Sequence, residues 1–114
     1  FFGAVVREID VFDFQTGKWS TLDSKLPAGS AAGGTAVLND RIIYFGGETA
    51  LEGPALSLTW IFDPESGTWI ELDEMNIGRH GSQAIVHDGK VYIAAGSPKR
   101  GGGRTSTMEV FSYK

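Results

Sequence analysis

Apolar residues along the chain fall in short runs broken by turn residues, and two kinds of run recur. The segments "RIIYFGG" (41–47) and "KVYIAA" (90–95) are almost wholly apolar, the pattern of a strand covered on both faces by packed sheets. In "SLTWIFD" (57–63), Leu58, Trp60 and Phe62 alternate with Ser57, Thr59 and Asp63, the two-residue period of a strand. Strands are predicted over 34–38, 41–46, 57–63 and 68–72, the first pair joined at Asn39-Asp40 and the second by a turn of type-I character over Pro64–Gly67. Sixteen of the 114 residues are glycine, twice the usual ~7%. Without a collagen period, that many glycines imply many turns and therefore many strands.

The elements repeat. "VFDFQTGKWSTLD" (11–23) matches "IFDPESGTWIELD" (61–73) at an offset of 50, with Phe12/Phe62, Asp13/Asp63, Gly17/Gly67, Trp19/Trp69, Leu22/Leu72 and Asp23/Asp73 coinciding. A third copy begins at "EVFSYK", where Phe111 follows Phe62 by 49 residues. "TAVLNDRIIYFGG" (35–47) aligns with "QAIVHDGKVYIAAG" (83–96) when the second turn is given one extra residue. Repetition at this period marks an architecture of stacked units.

Four short strands per unit, Gly46-Gly47 (Ala95-Gly96 in the next copy), Tyr44 or Tyr92 just before it, and the Gly-x-Trp at Gly17/Trp19 and Gly67/Trp69 resemble the kelch-type β-propeller, whose repeat is ~50 residues. The resemblance covers nearly the whole chain. It implies an all-β fold of four-stranded antiparallel blades: residues 1–22 the end of one blade, 33–72 a full blade, and 82–114 three strands of a last one. A propeller ring needs about four to eight blades, so about two and a half blades are expected to be the C-terminal part of an incomplete ring. The remaining blades then come from a longer chain or from self-association. The start at Phe1, without Met, points to a processed chain or a fragment. By the same resemblance, a last blade ending at Lys114 is completed by a strand from the other end of the chain, and Met108–Tyr113 is an edge open to pairing.

Composition narrows the partners. With a net charge of −4 and a pI near 5.0, the chain lacks the broadly basic surface of a nucleic-acid binder. At 41% hydrophobic and 21% charged residues, it falls in neither the disordered nor the membrane class. The absence of cysteine removes disulfides, thiolate nucleophiles and the usual zinc clusters, and no cofactor is implied.

The stretch "AGSPKRGGGR" (95–104) spaces Gly96 and Gly101 as a phosphate loop does. A phosphate loop then needs a lysine, a hydroxyl residue and a helix; here two more glycines and the strand-like "TSTMEVFSY" follow. In a kelch blade this stretch is the connection between the second and third strands, and it emerges on the face from which one blade leads to the next. Arg79, His80, Ser97, Lys99, Arg100 and Arg104 are therefore expected on one rim. No acidic residue lies between Asp88 and Glu109, whereas the sister loop "GETALEGPALS" carries two glutamates, so the local field is expected to be positive.

Each candidate also has a structural reading. Loop charges are usually solvated turn residues, and by the resemblance Arg79 either bonds neighbouring loop carbonyls or contacts a ligand. His80, aligned with Ala32, is specific to its blade and so is not demanded by packing between repeats. His80 and His87 lie seven residues apart along a strand, about 23 Å, and cannot share a metal. Glu71 and Asp73 read as a solvated strand face. No catalytic set is present. The resemblance implies a module binding an acidic protein, peptide or glycan on its loop face; the alternatives are a carbohydrate-active enzyme of the sialic-acid isomerase or sugar oxidase kind, with Arg79 and His80 as its groups, or an inactive self-assembling propeller fragment.

Overall fold

The computed structural model describes residues 4–50 and 52–113 and is built of strands and turns alone; residues 1–3 and Lys114, at the ends of the two outer expected segments, lie outside the described residues. Among the described residues nine strands form three antiparallel sheets: β1 (Asp10–Asp13) and β2 (Lys18–Thr21); β3 (Gly34–Leu38), β4 (Arg41–Phe45), β5 (Thr59–Asp63) and β6 (Thr68–Leu72); and β7 (Ala84–His87), β8 (Lys90–Ala94) and β9 (Met108–Ser112). Within each sheet the strands pair in chain order, as a meander. The middle sheet is a four-stranded kelch-type blade. Among the described residues the three sheets do not close a ring.

The turns follow from local chemistry. In the β5–β6 hairpin, Asp63 Oδ1 accepts the backbone amides of Glu65 (2.9 Å) and Ser66 (3.3 Å), and the Gly67 amide donates to the Asp63 carbonyl at 2.8 Å. Asp13 does the same for Gln15 and Thr16 in the β1–β2 hairpin. These amides hold both carboxyls below the usual carboxylate range, since hydrogen bonds to the ionised form favour it. Gly17 and Gly67 close the two turns at φ +67 and +70, a conformation that glycine reaches without steric cost. Across each hairpin a phenylalanine faces a tryptophan: Phe12 and Trp19 with ring centroids 5.2 Å apart, Phe62 and Trp69 with 4.8 Å. Such cross-strand aromatic pairs fix register.

The β3–β4 and β7–β8 hairpins both turn on two residues with positive φ, Asn39-Asp40 and Asp88-Gly89. The twist of paired strands favours such turns. Strand partners then correspond at one constant offset of 49: Thr35 with Ala84, Arg41 with Lys90, Phe62 with Phe111. This corrects the sequence alignment, which matched Asp40 to Asp88 and so displaced β7 by one residue. In a strand that shift exchanges the two faces. His80 accordingly corresponds to Ala31, and Ala32 (φ 54) to Gly81 (φ 68).

The core is the seam between the middle and third sheets. Ala36, Leu38, Ile43, Phe45 and Ile61 from one side meet Val91 and Ile93 from the other, with Leu72, Met75, Ala84 and Phe111 packed around them. The expectation that "RIIYFGG" is covered on both faces is met fully on one face and partly on the other. Ile43 and Phe45 are sealed in this seam, while Ile42 and Tyr44 face a groove shared with Ile9, Asp10 and Leu26. The diglycine after β4 permits close approach across the seam: Gly46 has φ +66, and a Cβ there would stand 2.2 Å from the Arg79 carbonyl. At the equivalent position Ala95 takes the same backbone, φ 58, against its own preference.

Opposite outcomes follow at these two positions. Gly46→Ala is expected to destabilise the chain by at least ~2 kcal/mol, through left-handed strain and collision with a backbone oxygen. Ala95→Gly is expected to stabilise it by up to ~1 kcal/mol, relief of strain exceeding the entropy of the added glycine. Urea unfolding midpoints of the two variants against the wild-type chain check both signs.

Candidate binding face

The loop after β4 (46–58) and the loop after β8 (95–107) meet across the seam. Pro54 and Lys99 form an isolated antiparallel bridge, the Ala55 amide donates to the Pro98 carbonyl at 2.9 Å, and the Arg100 amide donates to the Gly53 carbonyl at 3.0 Å. A shallow depression lined by Glu52, Gly53, Pro54, Pro98, Lys99 and Arg100 lies over the contact.

His80 and Ser97 secure the base of this loop pair. Their backbones exchange two hydrogen bonds of 3.0 Å, and both side chains converge on the Lys99 carbonyl, His80 Nε2 at 2.8 Å and Ser97 Oγ at 2.7 Å. A carbonyl only accepts, so His80 carries its proton on Nε2. The serine hydroxyl is thus spent on a carbonyl and not on the imidazole, and the two do not form a nucleophile and base. Arg100 is committed too, with Nε on the Pro54 carbonyl (2.8 Å) and Nη1 on Thr49 Oγ1 (2.9 Å). Lys99 and Arg104 are exposed.

The sister loop contributes a group that the sequence reading left out of the site. Glu48, from beside the diglycine, reaches across so that its Oε2 accepts the Gly101 amide at 2.7 Å and lies 3.4 Å from His80 Nε2. The available signal was the pair of glutamates in that loop; only the loop contact aims one of them at the basic loop. Part of the expected positive field is therefore met from within. Among the described residues no group of three or more His, Asp or Glu gathers as a metal site; His80 precedes β7, and His87 ends it.

Arg79 is corrected as a member of the rim. It is 1% exposed, and its side chain runs down into the seam. Nε donates to the Ile77 carbonyl, Nη1 to the carbonyls of Ala95 (3.0 Å) and Thr107 (3.1 Å), and Nη2 to Thr107 Oγ1 and Glu109 Oε2 (2.5 Å). A guanidinium has five N–H donors, and these five bonds use them all. The Arg79 amide donates to the Leu56 carbonyl and its own carbonyl accepts from Gly47, so the backbone belongs to the middle blade while the side chain holds the ends of β8 and β9.

Glu109 completes the arrangement. Its Oε1 accepts the Asn76 amide at 2.7 Å and the Asn76 side-chain amide at 3.0 Å, and its Oε2 accepts the Ile77 amide at 3.2 Å. Burial pushes its carboxyl upward, but these amides and the Arg79 guanidinium outweigh it and hold the group below its ordinary 4.5.

Two outcomes follow. Arg79→Ala is expected to lower stability by about 3 kcal/mol, since it removes the charge partner of a largely buried carboxylate and leaves four further acceptors without this donor, and Arg79→Lys is expected to restore little of this, lacking the planar fork. Because the folded-state pKa of Glu109 is depressed, its contribution is full above pH 4.5 and is lost as pH falls through the folded value. Glu109→Gln should therefore be less stable than the wild-type chain near neutrality and lose less stability on acidification below 4.5; parallel pH dependences in denaturant titrations would count against the arrangement.

Residues 31–76 match the family model described as the kelch motif. Over 103 residues the chain is 33% identical to kelch-like protein 40 of Xenopus laevis, covering 90% of this chain and 16% of that protein. It is 27% identical over 112 residues to an F-box/kelch-repeat protein of Arabidopsis thaliana, covering 96% and 29%. It is 26% identical over 95 residues to kelch repeat and BTB domain-containing protein 13 of Homo sapiens, covering 82% and 21%. The chain thus spans less than a third of the length of each of these relatives. The matched motif begins at the Ala31 bridge, runs through β3–β6 and ends in the link that supplies Arg79 to the seam; on this motif, these relatives and this blade geometry, the chain belongs to the kelch-repeat family.

Proposed function

We propose that this chain is a protein-interaction module whose loop face receives an acidic segment of a partner protein, with Lys99 and Arg104 as the cations that meet it. The kelch repeats and the kelch-like relatives support protein binding. The observation that carries the choice of face is local. Two exposed cations stand on a loop with no acidic residue between Asp88 and Glu109, beside a depression to which Lys99 contributes. His80, Ser97 and Arg100 hold the shape of that loop and leave its free charge at Lys99 and Arg104. Arg79 is not in the contact set, because its donors are spent in the seam. A segment with spaced carboxylates satisfies both cations, while the overall charge of −4 repels it from the rest of the surface.

A fluorescent polyglutamate peptide titrated into the chain tests this. Binding is expected to weaken with salt and to fall about tenfold in Lys99→Glu, Arg104→Glu, each surface charge contributing up to ~1 kcal/mol. Equal affinity in the wild-type and doubly reversed chains would place any binding elsewhere.

A further inference from the structure

We infer that His80 and the Gly101 amide form a carboxylate subsite that the chain's own Glu48 fills in the free protein, and that a partner's carboxylate enters by displacing Glu48. This rests on the reading of the loop face as the surface for an acidic segment, and it names the group recognised there.

The geometry is that of a carboxylate oxygen held by one backbone amide, with an imidazole edge at ion-pair distance beside it. Glu48 Oε2 takes the Gly101 amide at 2.7 Å, and His80 Nε2 lies 3.4 Å away. The His80 Nε2–H is given to the Lys99 carbonyl, so the Gly101 amide supplies the charge-assisted hydrogen bond to the carboxylate and the imidazole supplies an ion-pair contact. The subsite and the carboxylate come from different blades: Gly101 and His80 belong to the third sheet's segments, and Glu48 to the loop after β4. The subsite is thus built without Glu48 and is occupied by it.

Nor does the backbone require a glutamate there. Position 48 corresponds to position 97 in the next repeat, where the same bridge is made (Ala31 with Glu48, His80 with Ser97), and the residue at 97 is a serine whose hydroxyl stays within its own loop. A carboxylate at 48 is therefore an addition to the repeat. One backbone amide holds it, with its side chain only 14% exposed, and burial of a charge is costly unless fully compensated. An incoming carboxylate inherits the Gly101 amide and the imidazole contact and adds the exposed Lys99 of the same loop, so exchange favours a ligand that reaches both. Glu48 then sets a threshold, admitting multivalent acidic segments over single carboxylates.

The test uses acetate and the Glu48→Ser variant, serine being the residue the same bridge carries at position 97. The amide resonance of Gly101 is followed by NMR in isotopically labelled chain, with chloride at equal ionic strength as the control. A saturable acetate-dependent shift is expected in Glu48→Ser, absent from the wild-type chain over the same range and lost in Glu48→Ser, His80→Ala. Glu48→Ala carries the same expectation should the serine variant lose its dispersed spectrum. The inference is overturned if neither variant responds to acetate, if chloride gives the same shift, or if the wild-type chain responds equally. The two readings fail separately: no acetate response with polyglutamate binding still abolished by charge reversal removes the subsite alone. An acetate response without polyglutamate binding to the wild-type chain removes the partner reading.

Discussion

Arg79 crosses from one blade to the next with its main chain and side chain facing different ways. Its carbonyl is received by Gly47 and passes over Gly46 so closely that no side chain fits there. Its guanidinium ends on the carbonyls of Ala95 and Thr107 and on Glu109. A buried charge stabilises only when every donor is matched, and all five are. Glu109, held on its far side by the amides of Asn76 and Ile77, passes the constraint back to the link between β6 and β7. The apolar seam of Ile43, Phe45 and Ile61 with Val91 and Ile93 supplies most of the attraction between sheets, but it is not directional. The polar lock sets the register in which that attraction acts.

The loop face inherits this register. Because Arg79 fixes how the two sheets stand, the loop after β4 meets the loop after β8, and Pro54 bridges Lys99. Glu48 then falls within reach of Gly101 and His80. Arg100 is drawn into the contact and Lys99 and Arg104 stay in solvent. A set of basic residues that looks uniform along the chain is thus divided into those that build the face and those left to use it. Loops held on a rigid scaffold commonly divide in this way.

The blade itself was legible in the sequence. The predicted strands over 34–38 and 68–72 coincide with β3 and β6, and the other two differ from β4 and β5 by one or two residues at their ends, because the alternation, the glycines and the Asp-capped turns are local chemistry. The register of β7 was not legible. Asp40 and Asp88 invite a match by identity, but which two residues carry positive φ in each turn decides the pairing, and this moved His80 from Ala32 to Ala31. For Arg79 the sequence left two roles open. A positive residue beside glycines looks the same whether it enters solvent or a seam, and the acceptors that decide lie 16 to 30 residues ahead of it.

By itself the sequence determined the period, the strand count of each unit, the turn chemistry and the excess of cations in the last loop. Each depends on residues a few positions apart, where steric and hydrogen-bonding preferences act within the segment. The tertiary structure alone decided which cations are spent, which carboxylate meets them and which face of β7 turns toward the seam. Those outcomes depend on groups brought together from separate blades, where burial changes the cost of every unpaired charge.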